Sequence, residues 1–299
     1  MKLRERTFPV RDYDLAATLA SGQAFRWQPH ENSWIGVVHG RWVQLHSTGN
    51  SITARTISSD ENWSWLEHYL QIETDLNAIL AGFPDDDAMR SAVIACRGLR
   101  LLRQDPWECL ASFILSSTKQ IVQIQQIVAL LCQRFGELLP VPPGHQPTHA
   151  FPTPERLAGV TESDLRNCKM GFRAPYLLAS ARTIAGGQLD LSRLAGMPLA
   201  EARIELLKLP GVGPKIADCV LLFAYGFPSA FPVDVWVMKA LRNLYFPRRK
   251  PTRLRLQLFT ETYFGQNAGY AQQYLFHYMR TRSSAQRGQP KLAAATVGI

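Results

Sequence analysis

Apolar and polar residues alternate in short runs between positions 34 and 57 and predict β-strands there. Residues 34–38 and 42–46 flank the polar segment 39–41, an arrangement typical of a β-hairpin, and residues 51–57 add another strand. From Asp60 onward, apolar residues recur at helical spacing instead. The pattern therefore predicts an α+β fold, in which an N-terminal antiparallel β-sheet domain precedes a mostly helical body.

Helix start and stop residues organise the body. Asp105 precedes Pro106 and Glu108, which gives the cap, the proline and the acidic residue of a helix start. Two later helices are predicted to end at Gly136 and Gly186. We expect three parts: an N-terminal sheet domain with flanking helices at residues 1–100, a helical body at 101–282, and a mobile tail at 283–299, where periodicity is lost.

A glycine- and proline-rich turn joins two predicted helices within residues 198–226. Residues 198–208 have the pattern of an amphipathic helix, and the Pro-Gly pair that follows, ending at Gly211, stops that helix. Gly213 permits a tight turn, and Pro214 suits the first position of the second helix. The amides of the turn can then face a phosphate at the positive end of that helix. A plain helix connector is the alternative interpretation.

Lys215 begins the second helix, where the helix dipole ordinarily favours an acidic or neutral side chain. The same field favours the neutral amine, which is the nucleophilic form of lysine. A surface lysine that contacts a phosphate as a point charge is the alternative.

Asp234 is a carboxylate that the chain can bring back to Lys215. A helix over 214–225 is about 18 Å long, and residues 226–233 span up to about 26 Å when extended. Asp234 also precedes the apolar run 235–238, where it would cap the next helix. Capping is its alternative role, but a capping carboxylate is also held rigidly enough to stabilise a cation.

Basic residues exceed acidic ones by 33 to 24, and the net charge of +9 suits a polyanionic partner. Solvated surface faces are the alternative explanation, and charge alone does not indicate catalysis. The basic residues form two clusters: Arg97, Arg100 and Arg103, and then Arg242, Arg248, Arg249, Lys250, Arg253 and Arg255.

The five cysteines are scattered, without the spacing of a zinc site or a disulfide framework, which indicates a reducing compartment. The sequence predicts no metal and no cofactor. It contains no signal peptide and no segment long enough to span a membrane. We therefore expect a cytoplasmic monomer without a membrane partner, associated with the nucleoid if bacterial; a nuclear location stays open.

The turn with Lys215 and Asp234 resembles the helix–hairpin–helix, Gly/Pro-rich, aspartate motif of base-excision DNA glycosylases. Within that superfamily the chain most resembles the 8-oxoguanine DNA glycosylases, over about residues 15–282. The resemblance implies a bifunctional glycosylase and abasic-site lyase that excises 8-oxoguanine from duplex DNA. It is carried by separate blocks in the family's order: residues 21–27, 101–109, 171–174, the hairpin with Asp234, and 269–272 with Phe276.

The resemblance also implies catalytic roles. Lys215 would attack the sugar C1′, expel the base and form a Schiff base, after which β-elimination can nick the strand. Asp234 would assist the lysine and stabilise positive charge on the sugar. Gly211 and Gly213 would belong to the turn that binds a DNA phosphate.

Four residues would bind the flipped base by the same resemblance. The carbonyl of Gly22 would accept the N7 hydrogen that 8-oxoguanine has and guanine lacks. Cys219 and Phe276 would sandwich the base, and Gln272 would bind its pairing edge. Residue chemistry alone leaves alternatives: core packing for the cysteine and phenylalanine, a turn for the glycine, and an exposed helix position for the glutamine.

Contacts to the duplex depart in part from the family's pattern. Phe172 would wedge into the duplex and Arg173 would read the orphaned cytosine, although Phe172 could also be a core residue. Where eukaryotic-type enzymes have three asparagines, this chain has Thr118-Lys119-Gln120. Where they have a second cytosine-reading arginine, it has Gln123. Val235-Trp236 follows the catalytic aspartate where a phosphate-contacting histidine is common. Base capture and catalysis are expected to be retained, with weaker discrimination of the opposite base.

Three functions compete at this stage. An 8-oxoguanine glycosylase with lyase activity is favoured over a glycosylase for another damaged base and over a non-catalytic DNA-binding module. Lys215 argues against the binding module, because backbone amides bind phosphate without it. It also argues against the alkylated-base branch, which typically lacks this lysine.

Overall fold

The computed structural model describes residues 2–248 and 251–288. Five strands form an antiparallel sheet in this part of the chain: Lys2–Pro9 (β1), Gln28–His30 (β2), Ser33–Val38 (β3), Arg41–Thr48 (β4) and Ser51–Ser58 (β5). Their order across the sheet is β1-β5-β4-β3-β2. The predicted hairpin and the strand that follows it are confirmed as β3, β4 and β5.

One face of the sheet carries a small apolar core. Val43, Leu45, Ile52 and Ala54 are completely buried, and Leu45 lies opposite Ala54 in the antiparallel register. They alternate with more exposed residues, as expected for a strand with one covered face.

The sequence pattern does not predict β1, because charged residues hide its alternation. Phe8 is its only buried side chain. Arg4 pairs with Glu61 at 2.6 Å and Arg6 with Glu67 at 3.1 Å, so both arginines, which share a strand face with Phe8, have acidic partners. Charged side chains are typical of an edge strand.

Helices dominate the rest of the described chain, with a second, short pair of strands at Leu138–Leu139 and Thr148–His149. Their bounds are Leu15–Ala20 (α1), Ser64–Leu70 (α2), Leu76–Ala81 (α3), Asp87–Cys96 (α4), Pro106–Leu115 (α5), Ile121–Phe135 (α6), Pro154–Ala158 (α7), Glu162–Arg166 (α8), Ala174–Ala185 (α9), Leu199–Leu207 (α10), Pro214–Val220 (α11), Val235–Ala240 (α12), Arg253–Tyr263 (α13) and Ala268–Gly288 (α14).

The predicted helix boundaries are confirmed. The side chain of Asp105 accepts a hydrogen bond from the amide of Glu108 at 2.8 Å, and Pro106 is the first residue of α5. Helix α6 ends before Gly136 and α9 before Gly186. These boundaries were predictable because the residues that form them are local in sequence.

A larger apolar core fills the helical body. Leu76 of α3 and Met89 of α4 belong to it, so helices within residues 1–100 contribute to the core of the body as well as flanking the sheet. The smaller core combines the sheet with α1 and α2, and it also includes Leu102. The division at residue 100 stays a prediction.

The C-terminal helix α14 includes residues 283–288, for which a mobile tail was the expectation. The remainder of the expected tail, 289–299, lies outside the described residues, as do Arg249 and Lys250 of the second basic cluster. Among the helices described, none combines the length and the apolar character that crossing a membrane requires.

Candidate active site

The glycine-rich turn connects α10 to α11 as predicted, and a π-helical stretch at Leu221–Tyr225 continues α11. Gly211 has a φ of +79°, and an ideal Cβ there would lie 2.6 Å from the ring of Tyr176. Glycine is therefore required for both conformation and space. Gly211 is exposed and Gly213 half-buried, so the turn presents main chain at the surface beside the N-terminus of α11.

Lys215 is the second residue of α11, and its amine has two contacts, one with Phe113 of α5 and one with Ser116, which follows that helix. Its Nζ donates to Oγ of Ser116 at 3.1 Å and lies 5.0 Å from the centre of the Phe113 ring. The Ser116 hydroxyl itself donates to the carbonyl of Phe113 at 2.7 Å. Its proton is thus directed away from the lysine, which leaves the oxygen as an acceptor that suits either protonation state of the amine.

Asp234 caps α12, which confirms the structural role predicted for it. Its Oδ1 accepts from the amides of Trp236 at 2.9 Å and Val237 at 2.8 Å. Burial raises the pKa of the carboxyl above its usual value, against those amides and the charge of Lys215, which lower it. The carboxylate is therefore fixed in orientation, partly desolvated and within the electrostatic reach of the lysine.

A cavity of about 950 Å³ brings these groups together. Its volume lies within the range of pockets that enclose small ligands. Phe25, Trp27 and Phe113 supply an apolar wall, and Lys119 contributes a second amine. Of the residues predicted for the site, five line it: Gly22, Thr118, Lys215, Asp234 and Phe276.

Cys219 and Gln272 are buried and do not line this cavity. Cys219 lies one helical turn after Lys215; burial raises the pKa of its thiol to about 12, while the charge of Lys215 opposes the rise. Gln272 is 3% exposed, and its Oε1 has no hydrogen-bond partner among the described residues. A buried acceptor without a partner costs free energy.

Gly22 is held at the cavity by its neighbour Gln23. The buried Gln23 side chain donates to the carbonyl of Arg100 at 2.8 Å and accepts from the amide of Leu102 at 2.8 Å. Gly22 has a φ of +82°, and an ideal Cβ there would lie 2.7 Å from Cδ1 of Ile121. The turn prediction for Gly22 is thus confirmed, and the turn is tied to the start of the helical body.

Phe172 and Arg173 occupy different environments although they are adjacent. Phe172 is 54% exposed, which contradicts the core alternative. Arg173 is 3% exposed; it donates to the carbonyl of Ser117 and to Oγ1 of Thr118, and its guanidinium lies 4.2 Å from the Phe172 ring centre. Gln123 is exposed, and its Oε1 accepts from the amide of Gln120 at 3.1 Å at the start of α6.

Two family models match the chain in succession. The N-terminal domain of 8-oxoguanine DNA glycosylase matches residues 7–110, and the HhH-GPD superfamily of base excision DNA repair proteins matches residues 111–264. The chain belongs to the 8-oxoguanine DNA glycosylase family. The family membership explains why the hairpin, the returning aspartate and the N-terminal sheet occur in one chain.

Relatives of this glycosylase align over most of their length. The chain is 30% identical to the probable N-glycosylase/DNA lyase of Methanothermobacter thermautotrophicus, covering 91% of this chain and 95% of that protein. It is 32% identical to the N-glycosylase/DNA lyase of Saccharomyces cerevisiae, covering 88% and 82%. The Clostridium acetobutylicum 8-oxoguanine glycosylase/lyase, solved with duplex DNA containing cytosine opposite 8-oxoguanine, superposes with a TM-score of 0.86 at 32% identity, covering 95% and 99%.

Sequence reasoning about this glycosylase missed Ser116, which contacts Lys215 from 99 positions away. It noted Trp236 only as a departure from the family's pattern, whereas the structure places this residue on the cavity wall. A signal for Ser116 exists, since it follows the buried helix α5 directly and would therefore emerge at its end. The sequence pattern does not predict that Ser116 faces the start of α11, because that contact depends on how the two helices pack.

Proposed function

We propose that this chain is a bifunctional glycosylase and abasic-site lyase that removes 8-oxoguanine from duplex DNA. The observation that carries the proposal is the meeting of Lys215 and Asp234 at one cavity, with Lys215 directly after the glycine-rich turn. A base inside a duplex cannot reach such a cavity, so the target nucleotide has to be flipped out. The relative from Clostridium acetobutylicum, bound to a lesion duplex, supports this substrate.

The proposed chemistry uses the amine that Ser116 holds. Nζ of Lys215 forms a bond to C1′ as the bond from C1′ to N9 breaks, and the base leaves with the electron pair and gains a proton. Nζ then loses a proton and the ring oxygen O4′ gains one as the C1′–O4′ bond breaks, which gives the iminium. Loss of a C2′ proton then expels the 3′ phosphate and nicks the strand. The negative charge of Asp234 stabilises the cationic sugar while the base departs.

Recognition of the base is assigned to two residues that line the cavity, Gly22 and Phe276, and to two buried residues, Cys219 and Gln272. In the proposal, the Gly22 carbonyl accepts the N7 hydrogen, Phe276 stacks on the base from one side with Cys219 on the other, and Gln272 supplies its unsatisfied Oε1 to the pairing edge. Gly22 and Phe276 line the cavity, which supports their part of the proposal, whereas Cys219 and Gln272 are buried and do not line it.

Borohydride trapping tests the proposed function. The full chain is incubated with duplexes that contain 8-oxoguanine, an alkylated purine, uracil or undamaged guanine, and the imine is reduced to a stable adduct. We expect an adduct with 8-oxoguanine above all. An adduct with another lesion alone would favour the alternative glycosylase, and tight binding without any adduct would favour a binding module.

Gly22→Ala is expected to lower single-turnover excision of 8-oxoguanine by roughly tenfold or more. A left-handed alanine costs about 1–2 kcal/mol, and the new methyl group would overlap Ile121 beside the base. Gly40→Ala is the matched control, because Gly40 also has a positive φ, +70°, but open space around its Cβ position. Equal excision by the Gly22 and Gly40 variants would remove Gly22 from the base site.

Excision is also expected opposite adenine, guanine and thymine, with cytosine only moderately preferred. In the proposal Arg173 binds an orphaned cytosine after its guanidinium leaves Ser117 and Thr118. Gln123 offers a neutral amide that both donates and accepts. Thr118 is also shorter than asparagine. Losing one good base contact removes roughly 1–3 kcal/mol of discrimination. Single-turnover rates on the four duplexes test this prediction. Strict dependence on cytosine opposite the lesion would contradict it, and so would a selectivity that Gln123→Arg leaves unchanged.

We infer further that the protein acts on duplex DNA as a cytoplasmic monomer, or at the nucleoid in a bacterium. The net charge of +9 supports a polyanionic partner. Sedimentation of the free protein and of its lesion-DNA complex tests the stoichiometry, and a dimer in both states would contradict it.

A further inference from the structure

Arg280 is a cavity residue to which the catalytic proposal gives no role. It lies on α14 one turn after Phe276 and two turns after Gln272. Residues four apart share one face of a helix. Arg280 therefore continues the face that is assigned to base binding, and it lines the same cavity as Gly22 and Lys215.

The guanidinium of Arg280 lies directly against the Gly22 turn. Nη2 donates to the carbonyl of Ala20, the last residue of α1, and Nη1 lies 3.2 Å from the position that a Cβ of Gly22 would occupy. The guanidinium carbon is 5.7 Å from the centre of the Phe276 ring. One cation thus lies close to two of the four groups that are assigned to bind the flipped base.

The edge of 8-oxoguanine that contains N7 offers hydrogen-bond acceptors to a cation beside Gly22. That edge presents a carbonyl oxygen on C6, the hydrogen on N7 and a carbonyl oxygen on C8, which is an acceptor, donor and acceptor in order. A carbonyl of Gly22 that binds the central donor leaves an oxygen on either side. Arginine donates several hydrogen bonds from a rigid plane and cannot accept one, so a guanidinium beside Gly22 complements either oxygen.

Partial burial strengthens such a contact. Burial lowers the pKa of Arg280 below its usual value, which marks a partly desolvated cation that nevertheless stays charged at neutral pH. Hydrogen bonds from a charged donor in a site with little water are stronger than those between neutral groups.

We propose that Arg280 is a specificity residue that donates a hydrogen bond to a carbonyl oxygen flanking N7 of the flipped 8-oxoguanine. The inference rests on the proposed function, and in particular on the role of the Gly22 carbonyl. It assigns the cavity a preference for purine lesions in which a hydrogen on N7 is flanked by a carbonyl oxygen.

Comparison of two substrates tests Arg280 in the full chain. Arg280→Met is expected to lower single-turnover excision of 8-oxoguanine roughly ten- to a hundredfold, the usual effect of losing a hydrogen bond from a charged group. Cleavage of a preformed abasic site is expected to stay at the wild-type rate, because that substrate has no base for Arg280 to bind. Arg280→Lys, which keeps a charge but loses the planar donor pair, should fall between methionine and wild type on 8-oxoguanine alone.

Arg282→Met is the matched control and should leave both rates unchanged. Arg282 lies two residues further along α14, is exposed, and contacts the ring of Tyr278 rather than the cavity. Unchanged excision by Arg280→Met would overturn the proposal, and so would an equal loss on both substrates in the Met and Lys variants, which would indicate support of the α1 turn only. A wild-type protein that cleaves abasic sites but leaves 8-oxoguanine in place would instead refute the proposed function itself.

Discussion

Lys215→Gln is expected to abolish both base excision and borohydride trapping while lesion-DNA binding is largely retained. Glutamine has a similar reach and can still donate a hydrogen bond to Ser116, but an amide nitrogen cannot form an imine. The backbone amides at Gly211 and Gly213 are untouched by the change, so the phosphate contact should survive. Single-turnover excision, trapping and a binding isotherm on the same lesion duplex measure the three properties.

Two other lysines make this test specific. Lys208→Gln is a control within the same motif, since Lys208 is exposed and pairs with Glu205 at 2.6 Å; it should react like the wild type. Lys119 lines the same cavity and is the alternative amine. If Lys215→Gln still forms an adduct and Lys119→Gln does not, then Lys119 is the nucleophile and the assignment of Lys215 is wrong.

The parts of the fold that were predictable rest on residues near one another in sequence. A cap and a proline start α5, glycines end α6 and α9, and the Pro-Gly turn separates α10 from α11. The conformational preferences of these residues act locally, so they hold in almost any tertiary context. Strand β1 was not predictable in this way, because its alternation appears only once its charges are paired with residues about fifty positions away.

The same distinction between local and distant contacts applies to the site. The sequence places an amine and a carboxylate at two helix starts, but it does not indicate that Ser116 receives the amine or that Arg280 lies against Gly22. These contacts join residues separated by 99 positions and by more than 250, so packing of whole helices decides them. The resemblance to the family predicts that Gln272 binds the base, and the buried Oε1 without a partner is an observation that the sequence could not supply.

Asp234→Asn is expected to slow excision by roughly two to three orders of magnitude while the protein stays folded. Loss of one preorganised electrostatic contact in a water-poor site costs about 3–4 kcal/mol of transition-state stabilisation. Asparagine keeps an oxygen that can accept from the amides of Trp236 and Val237, so the start of α12 should persist. The negative charge beside Lys215 is what the variant lacks.

The raised pKa of Asp234 also predicts how the variant changes thermal stability and the pH dependence of excision. A carboxyl whose pKa is higher in the folded protein than in the unfolded chain contributes stability below its unfolded pKa, and that contribution is lost as the pH rises through the folded value. At neutral pH the ionised, partly buried group therefore costs stability, and a neutral asparagine should melt at the same temperature as the wild type or higher. Wild-type excision should fall as acid protonates Asp234, whereas the slow variant should lack that acidic limb. A variant that excises at the wild-type rate would reduce Asp234 to a helix cap, and one that melts much earlier would mean that lost structure, rather than lost charge, explains the slow reaction.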